Sequence, residues 1–261
     1  MHQKPYYIHS LHSYTYSSIL RVKYRMNKKP LLYLIVILSI VVFSLPVLCI
    51  SIHSQAVVSP QRFTIVIDAG HGGIDAGATG VLTKNKESDL NLDISLKLGQ
   101  KLEQIGLNVV YTRTTQDGLY GTTDSGYKRR DMEKRRSIVK SSCCDLVVSI
   151  HLNKFSDPNR RGAQVYYQQS DATSLPLAKS IQDVLNQSIN HPQQGRGFTP
   201  SQGDFWMCKI VKPAVIVECG FLSNQKDDLL FDTTEYREQI AYLIFDGIVS
   251  YLTINTSFYP V

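Results

Sequence analysis

Thr64-Ile-Val-Ile67 is an unbroken β-prone apolar run that stops in Asp68-Ala-Gly-His71-Gly-Gly. This junction constrains the chain more than any other stretch. A run that is apolar on both faces reads as a strand buried inside a sheet covered on both sides, which is an α/β arrangement. Glycines around His71 permit positive φ and close approach of other groups. The histidine is thereby presented at a strand end, where α/β proteins place their sites. A histidine in such a turn is about as often a turn residue with a satisfied ring as a functional group. What the other strand ends carry decides between the two.

The same pattern recurs downstream. The spacing of Leu90, Ile94, Leu98, Leu102 and Ile105 predicts an amphipathic helix over 89–105, ended by Gly106. A strand follows over 108–112, then a glycine- and threonine-rich loop over 116–127, and a highly charged helix over 129–142. Strands are expected over 146–150, running into His151, over 163–168, and over 214–217, running into Glu218. Helices are expected over 175–189 and 236–251, with a loop over 190–203. This order fits an α/β fold: one sheet in a single domain over 57–261, with helices on both faces.

Charge matters for what precedes that domain. The first 52 residues hold six of the 28 basic residues and none of the 22 acidic ones, so the rest balances 22 against 22. The basic excess is therefore no sign of nucleic-acid binding. Residues 1–56 read instead as a targeting region. The stretch 31–52 is apolar apart from Ser39, Ser44, Ser51 and Pro46, and is long enough to span a bilayer. The basic residues before it place the N-terminus inside and the domain outside. The segment serves either as a membrane anchor or as a signal peptide cleaved after Ser54-Gln-Ala56. Residues from Met26 resemble an ordinary targeting sequence, and translation starts at Met1 or Met26. Of the five cysteines, Cys49, Cys143, Cys144, Cys208 and Cys219, none lies in a CxxC spacing, which argues against a cysteine zinc site. Most are expected in the core.

Three strand ends thus carry His71, His151 and Glu218, and Glu87 precedes the first helix. With Ser88 or Asp89 as its cap, Glu87 is left to point elsewhere. Two histidines and a carboxylate are a common catalytic zinc set with one position open for water, and a further carboxylate supplies a general base. Asp68 and Asn153 are candidates for orienting ligands or substrate.

These residues sit in four ordered motifs. Ile67-Asp-Ala-Gly-His71-Gly-Gly-Ile-Asp-Ala-Gly77 is the first. Glu87 with Asn91-Leu92 is the second. Arg135 with Asp145-Leu-Val-Val-Ser-Ile-His151-Leu-Asn153 is the third, and Pro213-Ala-Val-Ile-Val-Glu218-Cys-Gly-Phe-Leu-Ser-Asn224 the fourth. Together they resemble the zinc-dependent N-acetylmuramoyl-L-alanine amidases of the amidase_3 family, of the AmiA, AmiC and CwlD type, over about residues 62–252. The resemblance implies a mixed six-stranded sheet flanked by helices. It implies one zinc ion held by His71, Glu87 and His151, with Glu218 catalytic. Peptidoglycan is the implied substrate, at the amide between N-acetylmuramic acid and L-alanine. An exported monomer follows, at the periplasm or cell envelope, with an activator or localising protein as a further partner. Two departures, Val139-Lys140 in the third motif and Phe205-Trp-Met-Cys-Lys-Ile-Val before the fourth, concern the substrate groove. Arg135 is expected either to contact peptide carboxylates or to pair with a surface acid.

Two other readings compete. An inactive wall-binding regulator would be signalled by a lost ligand, and all four residues are present. Ser137-Ile-Val-Lys140 matches the S-x-x-K pattern of penicillin-binding proteins, with Ser188-Ile-Asn190 as an S-x-N element, which would give a second, serine-based DD-carboxypeptidase activity. No KTG follows, and Ser223-Asn-Gln-Lys226 shows how easily the pattern recurs. At helical spacing Ser137 and Lys140 also read as a solvated helix face.

Overall fold

The computed structural model describes residues 29–30, 32–40, 63–169, 171–190, 197–211 and 213–256. The chain divides into two units, Met1–Ser59 and Pro60–Val261. In the first, residues 29–30 and 32–40 are helical. The remainder of the apolar stretch 31–52, the cleavage position and Cys49 lie outside the described residues. No helix among the described residues is long and apolar enough to cross a membrane.

The second unit is a six-stranded mixed sheet. Its strands are β1 (Thr64–Ala69), β2 (Asn108–Tyr111), β3 (Leu146–Asn153), β4 (Gln164–Gln168), β5 (Ser201–Gly203) and β6 (Ala214–Phe221), in the spatial order β2-β1-β3-β6-β4-β5. All neighbours are parallel except β4 and β6. The three apolar runs chosen from sequence, β1, β3 and β6, are adjacent central strands, as continuous apolar runs should be. Their register sets Asp68 beside Ser149 and His151 beside Glu218. Just past that pair the register shifts by one residue, Asn153 meeting Phe221. A bulge of this kind ends regular pairing and re-aims side chains beside a site.

The helices are α1 (Glu87–Gln104), α2 (Tyr127–Ser141), α3 (Leu175–Leu185), α4 (Gln225–Asp232) and α5 (Thr234–Asn255). On one sheet face α1, α3 and α5 bury Leu90, Ile94, Leu98, Leu102, Ile181, Ile244 and Ile248 against Ile65, Ile67, Val148, Ile150 and Val217. Each such side chain contributes about 1.5–3 kcal/mol on leaving water. The other face carries a smaller apolar cluster, Val66, Val139, Val147, Met207, Cys208 and Ile216. Helix α2 buries only Arg135 and Val139 there, so a highly charged helix docks through one apolar residue and one buried cation.

Several boundaries differ from the sequence expectation. Helix α1 begins at Glu87, and neither Ser88 nor Asp89 caps it. Its cap residue is Lys86, which makes no side-chain cap bond. The first-turn N–H groups are met by the preceding loop: Glu87 donates to the Ala78 carbonyl (2.9 Å) and Ser88 to that of Ala76 (3.1 Å). The expected helix over 175–189 ends at Leu185 and continues as one π turn, Asn186–Asn190. The loop over 190–203 contains the short strand β5. Helix α4 has no long apolar face to announce it. Asn224 caps it by accepting the Lys226 and Asp227 N–H groups, and its Asp228 straps the Leu82 and Thr83 amides of the loop leading to α1. Cys208 and Cys219 are core residues, but Cys143 is exposed and Cys144 intermediate, and all four are free thiols.

Candidate active site

The site grows from the end of β1. Asp68 is buried, with its carboxylate accepting from Thr112 Oγ1 (2.7 Å), Ser149 Oγ (2.6 Å) and Arg135 Nη1 (2.6 Å). Burial opposes its ionisation, yet the Arg135 guanidinium and the two hydroxyls overcome that and bring its pKa down to about 2. Arg135 also donates to the carbonyls of Ala69 (2.6 Å) and His71 (2.5 Å) and to Asp131 (2.5 Å). A second buried arginine, Arg113, donates to the carbonyls of Ala69, Gly70 and Ser88. The two cations hold the glycine turn as a rigid loop. Within it His71 itself takes φ 61°, a left-handed conformation that a β-carbon disfavours and that persists only where its surroundings enforce it.

The rest of His71 follows from one neighbour. Its Nδ1 lies 3.0 Å from Asp75 Oδ2, so the ring donates there and turns Nε2 toward Glu87 Oε1 at 3.1 Å. Lys128 pairs with the other oxygen of Asp75 (3.3 Å). Burial works against a charged His71, but Glu87, and after it Asp75, outweigh burial and hold the pKa at about 9.

Glu87 is buried at the first position of α1. Its Oε2 accepts from the Ala78 N–H (2.7 Å), and Oε1 accepts from the Leu152 N–H (3.2 Å) and Asn91 Nδ2 (3.3 Å). Oε1 also lies 3.0 Å from His151 Nδ1. The two imidazoles, with ring centroids 5.1 Å apart, thus share one carboxylate oxygen. Burial opposes Glu87's charge, while the two histidines lower its pKa far below the carboxylate range.

Beside them stands Glu218. Burial pushes its pKa up to about 7, with His151 working against that and Glu87 with it. Its Oε2 is buried and has no hydrogen-bond partner among the described residues.

This donor set fits a divalent metal ion. One ligand atom each from His71, Glu87 and His151 lies within 4.8 Å of the others. Two bonds of about 2.1 Å at a tetrahedral angle separate their donor atoms by roughly 3.4 Å, close to the 3.1 and 3.0 Å from the two rings to Glu87. The space is kept open by missing side chains. A Cβ on Gly70 would lie 2.2 Å from His151 Cε1, and one on Gly77 would lie 2.5 Å from Glu87 Oε2.

Other expected residues divide. Asn153 lines the same cleft as the four, with its side-chain oxygen accepting the Lys154 N–H (2.7 Å). Arg135 does not pair with a surface acid: it is 2% exposed and paired with buried Asp68, and it lines the cleft beside His71. Four of its five N–H donors go to Asp68, Asp131 and the Ala69 and His71 carbonyls, so it positions the His71 loop. Ser137 and Lys140 are exposed on the outer face of α2, and no hydrogen bond joins them among those described. Asn190 is buried and bound to the Ala163 backbone, which makes the S-x-N element structural. The Ser223 hydroxyl accepts the Phe155 N–H. No observation favours a serine nucleophile. Sequence reading gave no role to Asp75, Asn91 or Arg113. Asp75 had one signal, its position four residues after His71 in the glycine turn. Asn91 had another, one helical turn after Glu87.

Two clefts meet at the histidines. One, of about 370 Å³, reaches Tyr127, Met132, Phe205, Trp206 and Ile216. The other, of about 480 Å³, reaches Thr79, Asn153, Lys154 and Glu218.

Comparison with known proteins gives the family and the fold. Residues 65–250 match the family described as N-acetylmuramoyl-L-alanine amidase. The germination-specific N-acetylmuramoyl-L-alanine amidase of Bacillus subtilis is 33% identical over 192 residues, covering 72% of this chain and 79% of that protein. The CwlD amidase of Clostridioides difficile, solved in complex with the GerS lipoprotein, superposes with a TM-score of 0.70 at 36% identity, over 74% of this chain and 100% of that one. The catalytic domain of CwlV, an amidase from Bacillus (Paenibacillus) polymyxa, gives 0.61 at 30% identity, over 74% and 100%.

Proposed function

The chain belongs to the N-acetylmuramoyl-L-alanine amidase family, and from that membership we propose that His71, Glu87 and His151 hold one zinc ion while Glu218 moves the proton. The protein is a hydrolase of peptidoglycan, cleaving the amide between N-acetylmuramic acid and L-alanine. One observation carries the assignment of roles: three ligand atoms converge beside a buried carboxylate oxygen that has no partner among the described residues.

A zinc ion supplies Lewis acidity here, polarising the scissile carbonyl and acidifying water. The chain's own residues do the rest. Asp75 fixes the His71 tautomer that offers Nε2. The Ala78 and Leu152 amides and Asn91 orient Glu87. Glu218, buried beside the three ligands with Oε2 unpartnered among the described residues, takes a proton from the attacking water. It then gives that proton to the departing L-alanine amine, one carboxyl serving first as base and then as acid. Asn153 lines the cleft where the substrate backbone passes.

Cell-wall amidase relatives place the protein's work at the cell envelope. We further propose that residues 1–56 direct export, as cleaved signal or retained anchor, ahead of a catalytic domain over 57–261. An envelope lipoprotein is the class of accessory partner suggested by the C. difficile complex.

The test incubates the full chain and zinc with intact peptidoglycan and identifies the products by mass spectrometry. Intact glycan whose N-acetylmuramic acid residues carry free lactyl carboxylates, with peptides beginning at L-alanine, is expected. Wall binding with no release of peptide would favour an inactive regulator and contradict this reading.

A further inference from the structure

Resting on the amidase reading above, we propose that the aromatic cleft around Trp206 is the subsite for the muramoyl sugar, and that the polar cleft past Asn153 receives the stem peptide. Both clefts are lined by His71 and His151. A substrate whose scissile amide sits at those residues must send one half each way. Both volumes fall within the range of ligand sites.

The two clefts differ in chemistry. The aromatic one is walled by Tyr127, Met132, Phe205 and Trp206 over Ile216. Its rings have packing neighbours outside the cleft lining: the Arg136 guanidinium lies 5.6 Å over the Trp206 ring, and Tyr166 packs edge-on to Phe205 at 5.5 Å. Fixed rings lose little entropy when a ligand stacks on them. The polar cleft presents Asn153 and the cation of Lys154, with Lys128 at the junction of the two.

The two halves of the substrate differ in the same sense. The pyranose ring is uncharged and offers a flat C–H face, which suits an aromatic wall. The stem peptide carries carboxylates, which suit Lys154 in the polar cleft and Lys128 at the junction.

Trp206 is the chain's single tryptophan, so its emission reports on this cleft alone. The full-length protein is titrated with the N-acetylglucosaminyl-N-acetylmuramic acid disaccharide and, separately, with L-alanyl-γ-D-glutamyl peptide. These are the two product halves. A saturable change in Trp206 emission with the disaccharide, and none with the peptide, is expected. A change with the peptide alone, or with neither up to the solubility limit, overturns the assignment. Kinetics give the second readout. Trp206→Ala should raise KM roughly tenfold for a disaccharide-peptide substrate and leave a sugar-free D-lactyl-L-alanyl peptide unchanged, with Trp206→Phe in between. Equal losses on both substrates overturn it. The titration needs no turnover, so failure of the amidase reading would show as absent hydrolysis and not as an unresponsive Trp206.

Discussion

At His71 the left-handed backbone, the Asp75 contact and the Arg135 bond to its carbonyl all serve one outcome, an Nε2 aimed at Glu87. Two predictions belong here. Gly70→Ala brings a Cβ to 2.2 Å from the His151 ring, so that ring must move. We expect loss of bound zinc and a fall in activity of roughly a hundredfold or more, as when a catalytic constellation is displaced by about 1 Å. Zinc content and turnover of the purified variant check this. The second concerns protons. His71 in the metal-free protein holds its charge to about pH 9, above its ordinary 6.5. That charge stabilises the metal-free fold below about pH 6.5, and the contribution is lost as pH rises through about 9. Zinc requires the neutral ring, so its binding releases protons at pH 7 and tightens as pH rises toward 9. Calorimetry in buffers of differing ionisation enthalpy measures the release, and pH-independent affinity between 6 and 9 would contradict it. The histidines and Glu218 were legible in sequence because apolar strands run straight into them. Asp75 and Asn91 carried only i+4 spacings, which mark many ordinary contacts.

Among the elements, α2 depends most on a single side chain. It buries one apolar residue, Val139, and one cation, Arg135, which reaches Asp68, Asp131 and two carbonyls of the β1 loop; its other ties, through Lys128, Arg130 and Asp131, are to the loop before it and to Asp75. Arg135→Ala leaves the Asp68 carboxylate buried without its charge partner, and breaking such a pair costs about 3–5 kcal/mol. Arg135→Lys should recover part of this, because one ammonium cannot reproduce the forked contacts. Denaturant unfolding checks both, and a loss below about 1 kcal/mol for Arg135→Ala would show that α2 is held otherwise. This role was not legible in sequence: an arginine on a charged helix reads as exposed, and only the fold reveals that it faces a buried aspartate. The central strands and the large helices were legible, since their apolar periodicity is strong. The three-residue β5 and capped α4 were not. β5 is held by pairing with β4 and α4 by Asn224 and Asp228, and neither arrangement leaves an apolar period.

Over the whole molecule, the site joins β1, α1, β3 and β6, which meet only when the sheet has formed. An ion bound there therefore stabilises the folded state by mass action, about 2.7 kcal/mol at a hundredfold excess over its dissociation constant. Chelation should lower the melting temperature of the wild-type chain and leave His71→Ala or His151→Ala unmoved. Differential scanning calorimetry with and without chelator reads the difference. The most direct test of the central claim separates holding the metal from moving the proton, by measuring zinc stoichiometry and amide hydrolysis on the same preparations of Glu87→Gln and Glu218→Gln. Glu218→Gln should keep one zinc per chain and lose roughly a hundredfold or more in turnover, while Glu87→Gln loses metal and activity together. Equal loss of zinc in the two variants, or full activity in Glu218→Gln, would contradict the account.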